Sequence, residues 1–321
     1  MSVKQKRVLL TGATGFVGSA VQQRIVADAY YDLTVAVRRI AAMSSIVRAV
    51  QVADLTAHTD WGEALQGVDV VIHSAARVHV MSETSADPLA EFRKVNVDGT
   101  LALARQAVAA GVRRFVFVSS IKVNGESTEL GQSYRADGLA NPSDPYGVSK
   151  YEAEQALLAL AQETDLEVTI VRPVLVYGPG VKANFRKMMK WVSRGVPLPL
   201  GAIHNKRSLV ALDNLVDLIL TCVEHPAAVN QVFLASDGDD LSTTQMLQQL
   251  GIVLDKPARL LPVPMSLLNA VFTLLGKENF TQRLCGSLQV DISKNKQLLG
   301  WTPPVSVEDA MRKTAKAYLA E

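Results

Sequence analysis

The segment RVLLTGATGFVGSAV constrains the fold more than any other stretch of this chain. Residues 8–10 read as a buried strand, and residues 15–28 as a helix. Between them lie Gly12, Gly15 and Gly18, in a GxxGxxG spacing one residue wider than the GxGxxG dinucleotide fingerprint. Glycine permits the tight turn and lets the backbone approach a pyrophosphate. The helix behind it offers N–H groups and the positive end of its dipole to the same anion. A plain strand-to-helix turn also uses glycine, but a strand before and a helix after point to a dinucleotide site.

The same rhythm continues along the first half. LTVAV (33–37), VQVADL (50–55), DVVIHSAA (69–76), RRFVFVSS (113–120) and EVTIVRPVLVYG (167–178) read as strands, with long helices over 91–110 and 146–163. Short apolar runs alternating with helices predict an α/β fold, a doubly wound parallel sheet covered on both faces. Beyond Gly178 prolines break the pattern and the later segments read as irregular, a smaller C-terminal substrate domain. VNQVFLASD (229–237) reads as a strand returning to the first sheet. The expected division is therefore a nucleotide domain of residues 1–176 plus about 207–237, and a substrate domain of about 177–206 and 238–321.

Bulk composition excludes several function classes. A net charge of +2 over 321 residues leaves no basic surplus for nucleic acid. Two cysteines, Cys222 and Cys285, without CxxC spacing argue against a disulfide framework or a metal site, and the default setting is a reducing cytoplasm. The N-terminus shows no signal-peptide pattern. MSLLNAVFTLLG (265–276) is too short for the roughly 20 residues of a membrane span, so no membrane insertion is expected. It reads as a buried helix or cleft wall.

The strand over 33–37 ends in Arg38 and Arg39. About 20 residues past the last glycine, where a ribose-binding acid is usual, the count reaches Arg38. A guanidinium fork suits a 2′-phosphate, so NADP(H) is favoured, with NAD(H) the alternative. Further on, PYGVSKYEAEQ places Tyr146 and Lys150 on one face of a helix. A cationic neighbour lowers the pKa of a tyrosine that otherwise ionises near pH 10. The strand end FVSSIKVNG presents Ser119 and Ser120 as partners.

With these motifs on the page, the chain resembles the extended short-chain dehydrogenases/reductases, in the nucleotide-sugar epimerase/dehydratase/reductase group. The likeness runs from TGATGFVG, through Asp54–Leu55, HSAA, VNVDGT and RPVLVYGPG, to RSLVALDNL. It implies Tyr146 as acid/base, Lys150 as the group tuning it, and Ser120 as the catalytic hydroxyl. Cofactor contacts are implied for Gly12, Thr14, Gly15, Phe16, Val17, Gly18, Arg38, Arg39, Asp54, Leu55, Ser74, Ala75, Ala76, Asn96, Ser119, Tyr146, Lys150, Pro173 and Val176. Asn96 matches the family's helix-kinking asparagine. Substrate contacts are implied for Asn184 and Arg207 at a nucleotide diphosphate, for Ser120 at the sugar, and for Arg283 as a second clamp. His79 and Lys122 stay open between sugar contacts and structural roles.

Dehydratases of this group carry Thr–Asp–Glu where this chain has Ser120–Ile121–Lys122, so elimination of water is disfavoured. Three readings remain. The first is an NADPH-dependent 4-reductase of a UDP-4-keto-6-deoxy-N-acetylhexosamine, similar to proteins of bacterial O-antigen synthesis. The second is a UDP-hexose or UDP-N-acetylhexosamine 4-epimerase with retained NAD. The third, a non-catalytic dinucleotide sensor, has no use for a tuned phenol. The arginine pair makes the reductase the expectation, with a UDP-sugar as partner. Helices over 99–111 and 149–162 pair across a homodimer in similar proteins, so a homodimer is expected here too.

Overall fold

The computed structural model describes residues 5–40, 47–78, 87–274 and 284–321. In chain order the first half holds β1 (Lys6–Thr11), α1 (Phe16–Val26), β2 (Tyr31–Val37), β3 (Arg48–Gln51), α2 (Gly62–Leu65) and β4 (Val70–His73). Next come α3 (Pro88–Arg93), a π-helical stretch (Lys94–Gly99), α4 (Thr100–Ala109), β5 (Arg114–Val118), α5 (Pro145–Glu163) and β6 (Glu167–Pro173). The remainder holds β7 (Leu175–Tyr177), α6 (Ala183–Ser193), β8 (Leu209–Ala211), α7 (Leu212–Glu224), β9 (Gln231–Ala235), α8 (Thr243–Val253), α9 (Met265–Leu274), α10 (Ser293–Leu299) and α11 (Val307–Leu319).

Seven strands form one parallel sheet in the order β3-β2-β1-β4-β5-β6-β9, and β7 pairs with β8 apart from it. The central strands β4 and β5 are buried along their whole length, the mark of a sheet covered on both faces. One apolar layer joins the sheet to α1, α7 and α10 through Val21, Ile25, Leu215, Ile219 and Leu299. The opposite layer uses Trp61, Leu103, Ala107, Ala153 and Leu157 from around α2, α4 and α5. A third cluster, with Phe185, Met189, Leu247, Leu250 and Met311, gathers α6, α8 and α11 beyond the sheet. The strand order reverses between β1 and β4, which opens a crevice at their C-terminal ends, where open α/β folds bind ligands.

Three local expectations are corrected. The helix expected over 91–110 is not continuous: π-turns at Lys94–Gly99 interrupt it around Asn96, the residue that the resemblance implied as its kink. Its side chain explains the break: Asn96 accepts from the Arg77 N–H (2.9 Å) and donates to the Arg77 carbonyl (3.0 Å) and Ser149 Oγ (3.0 Å). The single strand expected over 167–178 is two, because Pro173 has no N–H to donate and the chain leaves the sheet there for β7. The region expected to be irregular carries six α-helices among the described residues. Its prolines, among them Pro197, Pro199, Pro257, Pro303 and Pro304, stand in the loops between helices and not inside them. The apolar run at α9 is a helix, but Met265, Leu267 and Leu274 are exposed and only Leu268 among its described apolar side chains of that size is buried.

Candidate active site

The glycine turn sits at the crevice floor. Gly12 has φ 75°, and a Cβ there would lie 2.7 Å from the Ala75 backbone nitrogen. A Cβ on Gly18 would overlap the Gly12 carbonyl. No side chain caps the N-terminus of α1 at Gly15, so its first N–H groups are left to an outside anion. Ser74 Oγ donates to the Thr11 carbonyl (2.7 Å), locking the end of β4 against the turn. Backbone without side chains, closely packed below and uncapped above, fits a pyrophosphate. Thr14 and Gly15 are exposed, while Phe16 and Val17 are half-buried, Phe16 reaching the third core cluster.

Around the turn, Arg38 and Arg39 are exposed at the end of β2, and the Arg38 guanidinium lies 3.5 Å from the Asp54 carboxylate. Leu55 packs over Gly99, where a Cβ would strike it. Ala75 and Ala76 follow β4, half-buried beside the glycine turn. Pro173 is buried at the end of β6, and Val176 is half-buried in β7.

The catalytic candidates converge where β5 ends against α5. Asp144 caps this helix by accepting from the Gly147 N–H (2.7 Å), and Pro145 fills the first turn. The cap fixes where Tyr146 emerges. Its ring packs edge-on against Phe92 (5.9 Å between centroids), and its hydroxyl meets that of Ser120. Burial pushes the Tyr146 pKa up to about 12; Asp144 adds to the rise and the Ser120 hydrogen bond opposes it. One turn on, Lys150 is buried, donates to the Val118 carbonyl (2.8 Å) and stands over the Phe117 ring (4.2 Å). Burial lowers its pKa to about 7, against the pull of Glu154. Phenol, hydroxyl and ammonium thus lie together, an arrangement able to pass a proton to or from a substrate alcohol.

The remaining candidates divide. Lys122 is taken up by Glu126 (2.7 Å) and Asp144, and the two hydrogen bonds hold its pKa up despite burial. It braces the start of α5. Ser119 turns away from Ser120 and donates to the buried Glu154 carboxylate. Arg207 is half-buried between two chain segments and donates to the Gly286 carbonyl (3.0 Å); burial lowers its pKa. Asn184 is exposed at the start of α6. His79 and Arg283 lie outside the described residues.

Two features escaped the reading of the sequence. His73, at the end of β4, is fully buried and shares hydrogen bonds with Thr11 (2.7 Å) and Thr100 (3.0 Å). Burial, and then Lys150, lower its pKa to about 3, so it is neutral. Glu154 was also missed, although it follows Lys150 by one helical turn and so shares its face. Among the described residues, no group of three His, Cys, Asp or Glu side chains is placed to hold a metal, and no helix is long and apolar enough to cross a membrane.

Comparison with known proteins agrees with this geometry. The NAD dependent epimerase/dehydratase family matches residues 8–235. A UDP-glucose 4-epimerase of Vibrio cholerae is 49% identical over 98% of this chain and 96% of its own length. An Escherichia coli O157:H7 4-epimerase of N-acetyl-alpha-D-glucosaminyl-diphospho-ditrans,octacis-undecaprenol is 26% identical over 96% of this chain and 93% of its own. Among solved structures, UDP-glucose 4-epimerase from Thermotoga maritima with UDP-glucose matches with TM-score 0.77 and 23% identity, covering 98% of this chain and 99% of that one. UDP-glucuronic acid 4-epimerase from Bacillus cereus with NAD gives 0.78 and 20%, with the same coverage. At such identities the structures speak for the fold. The near-full-length match at 49% overturns the expected 4-keto reductase, because that relative is a UDP-glucose 4-epimerase. The arginine pair misled because cofactor choice does not fix reaction type.

Proposed function

The chain belongs to the NAD-dependent epimerase/dehydratase family of extended short-chain dehydrogenases/reductases, and within that family of enzymes we propose that it is a UDP-hexose 4-epimerase. The observation that most supports this reading is the 49% identity to a UDP-glucose 4-epimerase along almost the whole of both chains. The site adds chemistry that fits.

Nicotinamide dinucleotide, when bound, supplies reversible hydride acceptance and return. The glycine turn, Ser74, Ala75 and the start of α1 would hold its pyrophosphate, and Lys150 its nicotinamide ribose. Tyr146 takes the proton of the sugar's C4 hydroxyl as the C4 hydrogen leaves, and gives it back after the 4-ketose has turned its other face. Ser120 donates a hydrogen bond to the C4 oxygen, favouring the charge that builds there. Lys150 stabilises the phenolate by charge. Arg207 and Asn184 hold the diphosphate. One C–H and one O–H bond are broken and remade, so no reductant is consumed.

NAD+ is the form we favour as resident cofactor. Asp54 faces the Arg38 guanidinium, and a 2′-phosphate would have to approach that carboxylate. The relative from Bacillus cereus was solved with NAD. Denaturing the purified protein and identifying the released dinucleotide tests this choice; release of NADP+ would overturn it. We also propose the division into a nucleotide domain (1–176 and about 207–237) and a substrate domain (about 177–206 and 238–321), with the UDP-sugar between them. A homodimer through α4 and α5 completes the proposal. Leu101, Val108, Tyr151 and Leu158 on those helices are half-buried in the single chain and would be covered by a partner. The reading as a whole is tested by incubating the protein with UDP-glucose, or its N-acetylated counterpart, and resolving the C4 epimers.

A further inference from the structure

Behind the phenol and ammonium lies a second, fully buried group of charges. Glu154 is 0% exposed and Arg172, on β6, is 4% exposed. The Arg172 guanidinium donates to both Glu154 oxygens, at 3.0 and 3.2 Å from Nε and 2.5 Å from Nη2. Its Nη1 donates to Asn124 Oδ1 (3.0 Å). Ser119 Oγ donates to Glu154 as well. The network therefore grips the residue just before Ser120 and the residue closing the short turn after it, Ile121–Val123. It ties both to the helix that carries Tyr146 and Lys150.

We propose that Glu154 is a positioning residue of the active site, which registers Ser120 against Tyr146 and raises the proton affinity of Lys150. The proposal rests on the epimerase-type chemistry above but is read out without a sugar. A brace between β5, β6 and α5 needs no charge, because apolar packing does that more cheaply than a buried ion pair. The charge has a direction instead. Glu154 lies four residues from Lys150, about 6 Å of helical rise, and eight from Tyr146, about 12 Å. Its carboxylate therefore favours the ammonium more than it disfavours the phenolate.

Other charged and titratable groups around Lys150 are accounted for. His73 on β4 is held neutral, Arg172 is bound by Glu154, and Asp144 at the cap of α5 is paired with Lys122. Glu154 is the carboxylate that opposes loss of the Lys150 proton. Taking its charge away lowers the proton affinity of Lys150 further, and the phenol then ionises with less cationic charge beside it.

The test is ultraviolet titration of the Tyr146 phenolate in the cofactor-loaded protein, taken as the difference from Tyr146→Phe, for wild type and Glu154→Gln. Glutamine keeps the shape and removes the charge, and its Oε1 can still accept while its Nε2 no longer can. The phenolate band should move to higher pH by about one unit. Turnover should fall about 10- to 100-fold with KM and cofactor affinity unchanged, and Glu154→Asp should recover part of it. Should Glu154→Gln fail to fold with Arg172 unpaired, the double variant Glu154→Gln/Arg172→Gln removes both charges and should move the phenolate band the same way by a smaller amount, with turnover reduced. A folded variant with wild-type phenolate titration and turnover would overturn the proposal. So would loss of turnover with an unmoved phenolate band, since a merely structural brace behaves that way. A protein that binds cofactor and titrates as forecast, yet epimerises no sugar, would instead fault the reading of function and leave Glu154 in place.

Discussion

Tyr146 carries the proton in the proposed cycle, and its surroundings hold it back until the site is filled. With a pKa near 12, the phenol is protonated at neutral pH, and the charge of Lys150 with that of an oxidised nicotinamide must bring it down. Tyr146→Phe removes the donor and leaves the pocket. Steady-state kinetics should show kcat falling roughly 10²- to 10⁴-fold while substrate still binds. Lys150→Met should do comparable damage and move the pH optimum upward, as the phenol loses its cation. His73 makes a separate forecast about stability. Its pKa of about 3 lies below the free value of about 6.5. Stability is whole above the free value and falls with pH towards 3, because the unfolded chain binds a proton that the native one does not. The loss is about 1.4 kcal/mol per pH unit. Urea titrations between about pH 7 and about pH 5 should give a shallower decline in His73→Gln than in wild type. Equal slopes would show that other groups set the acid limit.

At the scale of elements, the glycine turn is the most exacting piece. Gly12→Val meets both a positive φ and the backbone of Ala75. It should cost on the order of 1–3 kcal/mol in denaturant unfolding and abolish dinucleotide binding in calorimetry. The same element shows why so much was legible in the sequence. A turn that must be glycine, a strand buried on both faces and a tyrosine–lysine pair on one helical face each leave a local pattern. What stayed illegible is non-local. Asp54 opposite Arg38, Arg172 under α5 and Asn96 stitched to Arg77 depend on strands brought together by the sheet. The substrate-side helices were hidden for another reason. The prolines between them read as irregular structure in the pattern, although a proline beyond a helix marks where it has ended.

For the whole molecule, the sheet opens a crevice at the reversal between β1 and β4, and the helices beyond it form a separate apolar cluster. Helices α4 and α5 form the outer face proposed for pairing. Light scattering at micromolar concentration should return twice the 34.7 kDa chain mass. Replacing Leu101 and Leu158 by lysine should return the single mass with the cofactor still bound. A wild-type monomer would remove that part of the proposal. Interconversion at C4 without consumption of reductant is the central claim. The most direct measurement follows the C4 epimers of a UDP-hexose while recording absorbance at the reduced-nicotinamide band. Epimers should approach one equilibrium ratio from either side with the absorbance flat, whereas product formed one-for-one with oxidised NADPH would contradict it.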